Sequence, residues 1–214
     1  MEFQAFDPDG EVQISRQNLP HWRQEGVTYF VTARLADSIP WSRIAQWKEQ
    51  RETWIRAHGL RDTSETRTLP ETAQREFQRT FTKKWHDWLD AGEGDCVLRH
   101  PEIATLVVEQ LIKGHPDKYV LDAWVVMPNH IHALITPVTQ ELSQIVQRWK
   151  GASARFINPR LGRTGTLWQA EAFDHIVRST EQLDHFRRYI AENPVKAGLM
   201  PGEFQLGGGR DFRP

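Results

Sequence analysis

The stretch VVMPNHIHALITP, residues 125–137, places His130 and His132 on either side of Ile131 in an otherwise apolar run. On a strand, residues two apart share a face, so the imidazoles would project together while Ile131 and Ala133 turn the other way. Neutral imidazole is the commonest metal-ligating side chain, and two on one face make a partial site. Farther along, EQLDHFRRYIAEN sets His185, Tyr189 and Asn193 at i, i+4 and i+8, a single stripe of a helix. A tyrosine hydroxyl can serve as a nucleophile, and the Asn193 carboxamide oxygen can join two imidazoles around an ion. Such neutral donors, with coordination positions left open, suit Mg²⁺ or Mn²⁺ better than structural zinc. Two plainer readings stand beside this one: a pair of accommodated core histidines, and a helix-surface tyrosine with a wet hydroxyl. His185, one turn from Tyr189, is a candidate proton-transfer helper or a plain surface histidine.

Other chemistries lack their residues. CxxC, HExxH, the phosphate-binding GxxxxGKS/T loop and the GxSxG elbow are all missing. A single cysteine, Cys96, cannot form an internal disulfide, which points to a reducing compartment. The N-terminal MEFQAFDPDG is acidic rather than basic-then-apolar, unlike a signal peptide. No apolar run approaches the roughly 20 residues of a membrane span. With 39% hydrophobic and 26% charged residues, the 214-residue chain is expected to be one globular, cytoplasmic domain. Nine tryptophans are expected mostly to pack.

The elements that must position the histidines and the tyrosine follow from periodicity. VTYFVTARL (27–35), YVLDAWVVM (119–127) and HIHALIT (130–136) read as strands, the last two joined tightly through Pro128-Asn129. LWQAEAFDHIV reads as a fourth. EIATLVVEQLIKG and ELSQIVQRWKGASARFI have helical spacing, and Ser179 can cap a last helix that stops before Pro194. Residues from about 38 to 94 carry two further helical patterns, with Ile44, Trp47, Trp54 and Ile55 on one face and Phe77, Phe81, Trp85 and Trp88 on another. Removing this helical insertion leaves β-α-β-β-α-β, the order of an α+β, ferredoxin-like split βαβ sandwich, followed by an extra helix. The tail from about 201 to 214 is Gly-rich and expected to be flexible.

NHIHALI followed by a helix carrying YIAENPVKAGL resembles the single-tyrosine HUH transposases, and within them the REP-associated tyrosine transposases. Those typically show MPNHxH and YIxxNPVK/RxGL. RQNLPHW, CVLRHPEIA and LWQAEAFDHIV extend the resemblance over nearly the whole chain. It implies an HUH-nuclease sandwich with a C-terminal catalytic helix. His130, His132 and Asn193 would be the ligands of a divalent ion, and Tyr189 the nucleophile. The activity implied is cleavage and joining of single-stranded DNA at REP-like hairpins through a covalent 5′-phosphotyrosine, with no nucleotide cofactor. The net charge of −1 and the acidic start depart from what a DNA enzyme leads one to expect.

A local basic excess answers part of that departure. Residues 142–170 contain no Asp or Glu but include Arg148, Lys150, Arg155, Arg160 and Arg163. Such cations bind phosphates with a strong salt dependence; a solvated helix face would look the same. Trp168, Gln169 and Lys196 lie in the family-like motifs and are expected DNA contacts, as are Arg16, His21 and Trp22 near the hairpin foot. A monomer is expected, with a homodimer as the alternative. Two other functions compete: a non-catalytic hairpin-binding protein on the same scaffold, and an unrelated HxH metal hydrolase that uses water.

Overall fold

The computed structural model describes residues 3–7, 10–11, 13–16, 20–39, 41–83, 88 and 94–209. It divides into two units, residues 1–36 with 96–214, and residues 37–95. The strands, all in the first unit, are β1 (Gln13–Arg16), β2 (Pro20–Arg23), β3 (Tyr29–Arg34), β4 (Tyr119–Met127), β5 (His130–Pro137), β6 (Phe173–Ile176) and β7 (Gln205–Gly208). Helices α1 (Trp41–Ala57) and α2 (Glu71–Phe77) belong to the second unit. Helices α3 (Pro101–Ile112), α4 (Leu142–Arg160) and α5 (Thr180–Lys196) belong to the first.

Five strands form an antiparallel sheet in the order β6–β3–β5–β4–β7. With β3, β4, β5 and β6 counted one to four, the core order is 4-1-3-2, the ferredoxin-like arrangement the sequence predicts. Helices α3 and α4 cover one face over Val31, Ala33, Ile131, Ala133 and Ile135. Helix α5 covers the other, with Leu183 and Ile190 against Phe30, Val125, Met127 and Leu134. A polar relay ties the first layer together: the Trp149 indole donates to the Tyr119 hydroxyl at 2.9 Å, which donates to the Leu111 carbonyl at 2.7 Å.

One irregularity governs which side chains meet α5. Register along β4–β5 slips between Leu121 and Ala123, so Asp122 is an extra, unpaired residue. Before it, Tyr119 and Leu121 face α3 and α4; after it, Ala123, Val125 and Met127 face α5. Arg187 of α5 clamps Asp122 through two hydrogen bonds of 2.8 and 2.7 Å, fixing the helix over the sheet.

Four local features differ from the sequence expectations. Residues 205–208 of the expected flexible tail form β7, paired with Ala123–Val126, because β4 offers an open edge there. Residues 13–16 and 20–23 form an additional hairpin beside the sheet, with Arg23 paired bidentately to Asp174 of β6 at 2.9 and 3.0 Å. The strand expected over LWQAEAFDHIV is confined to Phe173–Ile176, preceded by a bridge between Leu35 and Trp168. Helix α5 begins at the Ser179 cap as expected, the hydroxyl accepting from the Gln182 amide at 3.2 Å, but it runs through Pro194. Its last turn persists because Ala197 and Leu199 amides reach the Asn193 and Pro194 carbonyls, and Gly198, at a φ of 67°, ends it.

In the second unit, α1 is followed by a 3₁₀ turn at Thr63–Thr68 and by α2, which continues into a π-helical turn at Gln78–Lys83. Trp54 packs against Phe77 and Phe81 with ring centroids 5.1 and 6.2 Å away, and the Trp47 indole donates to the Phe81 carbonyl. These aromatics join α1 to the segment of α2 and the turn that follows it. Trp85 lies outside the described residues.

Candidate functional site

The two-residue Pro128-Asn129 turn ends β4 and starts β5, so His130 and His132 leave the sheet on the α5 face. Their Nε2 atoms stand 3.1 Å apart. Each ring is held through its other nitrogen: His130 Nδ1 lies 2.7 Å from Asn129 Oδ1, and His132 Nδ1 lies 2.8 Å from Thr32 Oγ1. An amide oxygen only accepts, so His130 donates from Nδ1 and directs Nε2 toward His132. Both histidines are buried, at 1% and 0% exposure.

Above them lies α5. The Tyr189 ring meets His132 edge-on with centroids 5.3 Å apart, and Phe30 stacks on both His132 and Phe186. The half-buried Tyr189 therefore faces the histidine layer rather than solvent. One turn later Asn193 is buried at 1% exposure, and neither its Oδ1 nor its Nδ2 has a hydrogen-bond partner. A buried amide left unsatisfied is costly and calls for a ligand the protein itself does not supply. Among the described residues no group of three or more His, Cys, Asp or Glu side chains gathers. Among those residues a third ligand beside the two imidazoles would have to be of another type, and the orphaned carboxamide oxygen is of that type. The spacing of the imidazole nitrogens also fits: bonds of about 2.1 Å in octahedral geometry put neighbouring ligand atoms about 3 Å apart. The residues present thus fit a hard divalent ion.

Other expected site residues are distributed more widely. Arg148 and Arg155 are exposed on α4, and Lys196 is exposed at the end of α5, paired with Glu192 at 2.7 Å. Lys150 is half-buried and donates to the Ala170 carbonyl at 2.7 Å; desolvation pulls its pKa down. Gln169 is half-buried, its amide donating to the Arg34 carbonyl at 2.8 Å. His185 is exposed, its ring 5.6 Å from Phe186. Trp168 is a correction. It is 4% exposed, sits in the α3–α4 core layer and gives its indole N–H to Ser153 at 2.9 Å, so its ring is not offered to a base. Arg16, His21 and Trp22 lie on β1 and β2, with side chains outside the described residues.

Sequence reasoning missed Thr32, Asn129 and Arg34. Thr32 and Asn129 orient the imidazoles. Arg34 lies directly opposite His130 in the β3–β5 register and is buried. The only sequence signal for these two β3 residues was alternation, which sets Thr32 and Arg34 on one face.

Residues 107–193 match the family described as transposase IS200 like. That segment starts within α3 and ends on Asn193, so it contains both histidines and the tyrosine. A REP-associated tyrosine transposase of Escherichia coli K12 is 30% identical over 91 residues, 42% of this chain and 53% of the relative. The match therefore spans about half of that relative's length. A solved structure of a REP-associated tyrosine transposase bound to a REP hairpin is 17% identical, with a TM-score of 0.46, covering 86% of this chain and 76% of that one. The IS200-like match falls on the segment that carries both principal motifs of the resemblance. No helix among the described residues is long and apolar enough to cross a membrane.

Proposed function

We propose that this protein cleaves and rejoins single-stranded DNA at REP-like hairpins, through a covalent phosphotyrosine on Tyr189. The observation that carries the reading is the Tyr189 ring packed against His132 while the carboxamide of Asn193, one turn on, is buried without a partner. His130, His132 and Asn193 would hold a Mg²⁺ or Mn²⁺ ion. When bound, such an ion supplies Lewis-acid polarisation of phosphoryl oxygens and a template for the phosphate.

The remaining work belongs to the chain. Tyr189 Oη attacks the scissile phosphorus; the Oη–P bond forms and the P–O3′ bond breaks. The DNA 5′ end stays on tyrosine, and the 3′ oxygen leaves and takes up a proton from water. A phenol of ordinary pKa near 10 is mostly protonated at neutral pH, so its proton must also go. His185, exposed one turn earlier on α5, is the proposed helper that passes it to solvent. An incoming 3′-hydroxyl reverses the step on another end, which conserves the bond energy and needs no nucleotide cofactor. Arg148, Arg155 and Lys196 are proposed to grip DNA phosphates, with Gln169, Arg16, His21 and Trp22 as further contacts. A monomer suffices for this scheme, since ligands and nucleophile lie on one chain.

The test is an adduct assay. The protein is incubated with Mn²⁺ and a pool of hairpin oligonucleotides with randomised single-stranded flanks. Denaturation-resistant adducts are then sequenced to map the cut. Adducts are expected with the unaltered protein and none with Tyr189→Phe. Adducts that persist in Tyr189→Phe sink the nucleophile assignment. Hairpin binding without adduct under any divalent ion favours a binding-only protein, and cleavage without adduct favours a water-using hydrolase.

A further inference from the structure

Helix α4 covers the sheet face opposite the histidines, and its inner stripe, which includes Ile145, Trp149, Ser153 and Ile157, is buried there. Its outer face is different in kind. Arg148 and Arg155, seven residues apart, share one exposed stripe; Phe156 and Arg160, four apart, form the next. Gly151 and Ala152 lie between the stripes, and a Cβ built at Gly151 meets nothing within 4 Å, so the floor there is shallow and open. Among the described residues Phe156 is the one aromatic side chain left exposed, at 44%. The Arg160 guanidinium folds back along the helix and donates to the Phe156 carbonyl at 3.1 Å, which spends one of its N–H groups and keeps the cation near Phe156.

The charge on this face is of one sign. Residues 142–170 hold no Asp or Glu, so none of the three arginines has a carboxylate one helical turn away. Among the described residues none of the three enters an ion pair. A face shaped only for solubility mixes both signs; here cations alone surround an aromatic ring. A single strand of nucleic acid matches that set, because its phosphates meet the cations and its unpaired bases offer a face to the ring. A duplex stem supplies the phosphates but keeps its bases stacked inside. The helix also leads back to the site's end of the sheet. Strand β5 runs from the histidines to Pro137, and α4 starts five residues later and returns. Beyond Arg160 the chain reaches Leu167, whose carbonyl accepts from the Ala36 amide at 2.9 Å, next to the Leu35 amide that holds Asn129.

We infer that the outer face of α4 is a track for the single-stranded DNA that flanks the hairpin. Phe156 stacks on an unpaired base, and Arg148, Arg155 and Arg160 hold the phosphates around it. From Arg148 to Arg160 the helix rises about 18 Å, room for a few nucleotides. The inference rests on the DNA reading above. It goes beyond that reading by assigning a base-binding residue and a strand path on the layer away from the tyrosine.

The experiment measures binding by fluorescence anisotropy in EDTA, where the strand stays uncut. Three oligonucleotides are compared: a hairpin with a randomised single-stranded flank, the same hairpin with an abasic flank, and the bare hairpin. Phe156→Leu should weaken binding of the base-bearing flank by about 10-fold, the loss of one base stack, and leave the other two unchanged. Phe156→Trp keeps a ring and should keep the affinity. Arg155→Gln should weaken both flanked hairpins alike and lower the slope of log affinity on log salt by about 0.7. A Phe156→Leu loss that is as large on the abasic flank or the bare hairpin would assign the face to duplex or to helix packing, and would overturn the track. No loss on any oligonucleotide would overturn it too, as would a loss in Phe156→Trp equal to that in Phe156→Leu. If the track passes in a protein that forms no adduct, this inference stands and the Tyr189 mechanism falls. Failure of the unaltered protein to bind any of the three would overturn both.

Discussion

Each imidazole in the site is held from behind, and the two holders differ in kind. Asn129 offers an acceptor to His130, whereas the Thr32 hydroxyl can donate to or accept from His132. Partners of this type fix ring orientation and tautomer, and losing one typically lowers metal affinity by about 10- to 100-fold. Thr32→Val should therefore weaken Mn²⁺ binding by that range in calorimetric titration, and Thr32→Ser should restore it. Equal affinity in the Val variant would mean that neighbouring packing alone orients His132. A third histidine of this layer has a different task. His175 is driven down to about 4 by burial and by the nearby Arg178 cation, and Gln182 lies 3.1 Å from its Nε2. Because the folded state resists a proton that the unfolded chain accepts near 6.5, stability is intact above about pH 6.5 and falls between there and about 4. His175→Gln keeps a polar partner for Gln182 and removes the titration. Its melting temperature should fall less than that of the unaltered protein between pH 7 and pH 5.

At the scale of elements, α5 carries both the nucleophile and the orphaned amide, and its path decides whether they share a wall. The i, i+4, i+8 stripe was legible in the sequence because a helix has one period. The helix end was not, because Pro194 reads as a stop. Proline removes one amide and disfavours the residue before it, but the turn here is held by bonds made after it. Asn193 consequently sits inside the helix, not at its frayed end. Likewise, strand alternation could place His130 and His132 on one face but could not name Thr32 or Arg34 as their neighbours. That requires the β3–β5 register, a contact between segments nearly a hundred residues apart. Trp168 misled for the complementary reason: its motif suggested DNA, whereas its indole completes a core hydrogen bond. Helix α4 offers a cleaner test of local preference. A Cβ built at Gly151 meets nothing within 4 Å, so Gly151→Ala should stabilise α4 by about 0.8–1 kcal/mol, read as a rise in unfolding midpoint.

For the molecule as a whole, the first unit closes on itself without residues 37–95. The Leu35 amide donates to the Asn129 carbonyl at 2.9 Å, and the Leu98 amide donates to the Pro128 carbonyl at 3.1 Å. Both ends of the excursion are thereby pinned to the turn that launches the histidine strand. Replacing residues 37–95 with a Gly/Ser linker of about six residues, a common connection length, should leave one cooperative thermal transition. A broad, non-cooperative melt would show that the second unit is required for the first to fold. The extra residue in β4 has a consequence of yet another sort. Asp122 works like a one-letter insertion in a two-letter code: YVLDAWVVM looks like one run of odd-numbered apolar residues, yet its halves are read in opposite frames. Deleting Asp122 would make Leu121 and Ala123 neighbours facing Ile135 and Leu134, a regular ladder in which both halves keep their layers. The imidazoles would keep Val125 and Met127 beside them, and the loss would fall on α5 instead, whose Arg187 would have no carboxylate to hold at that point of the sheet.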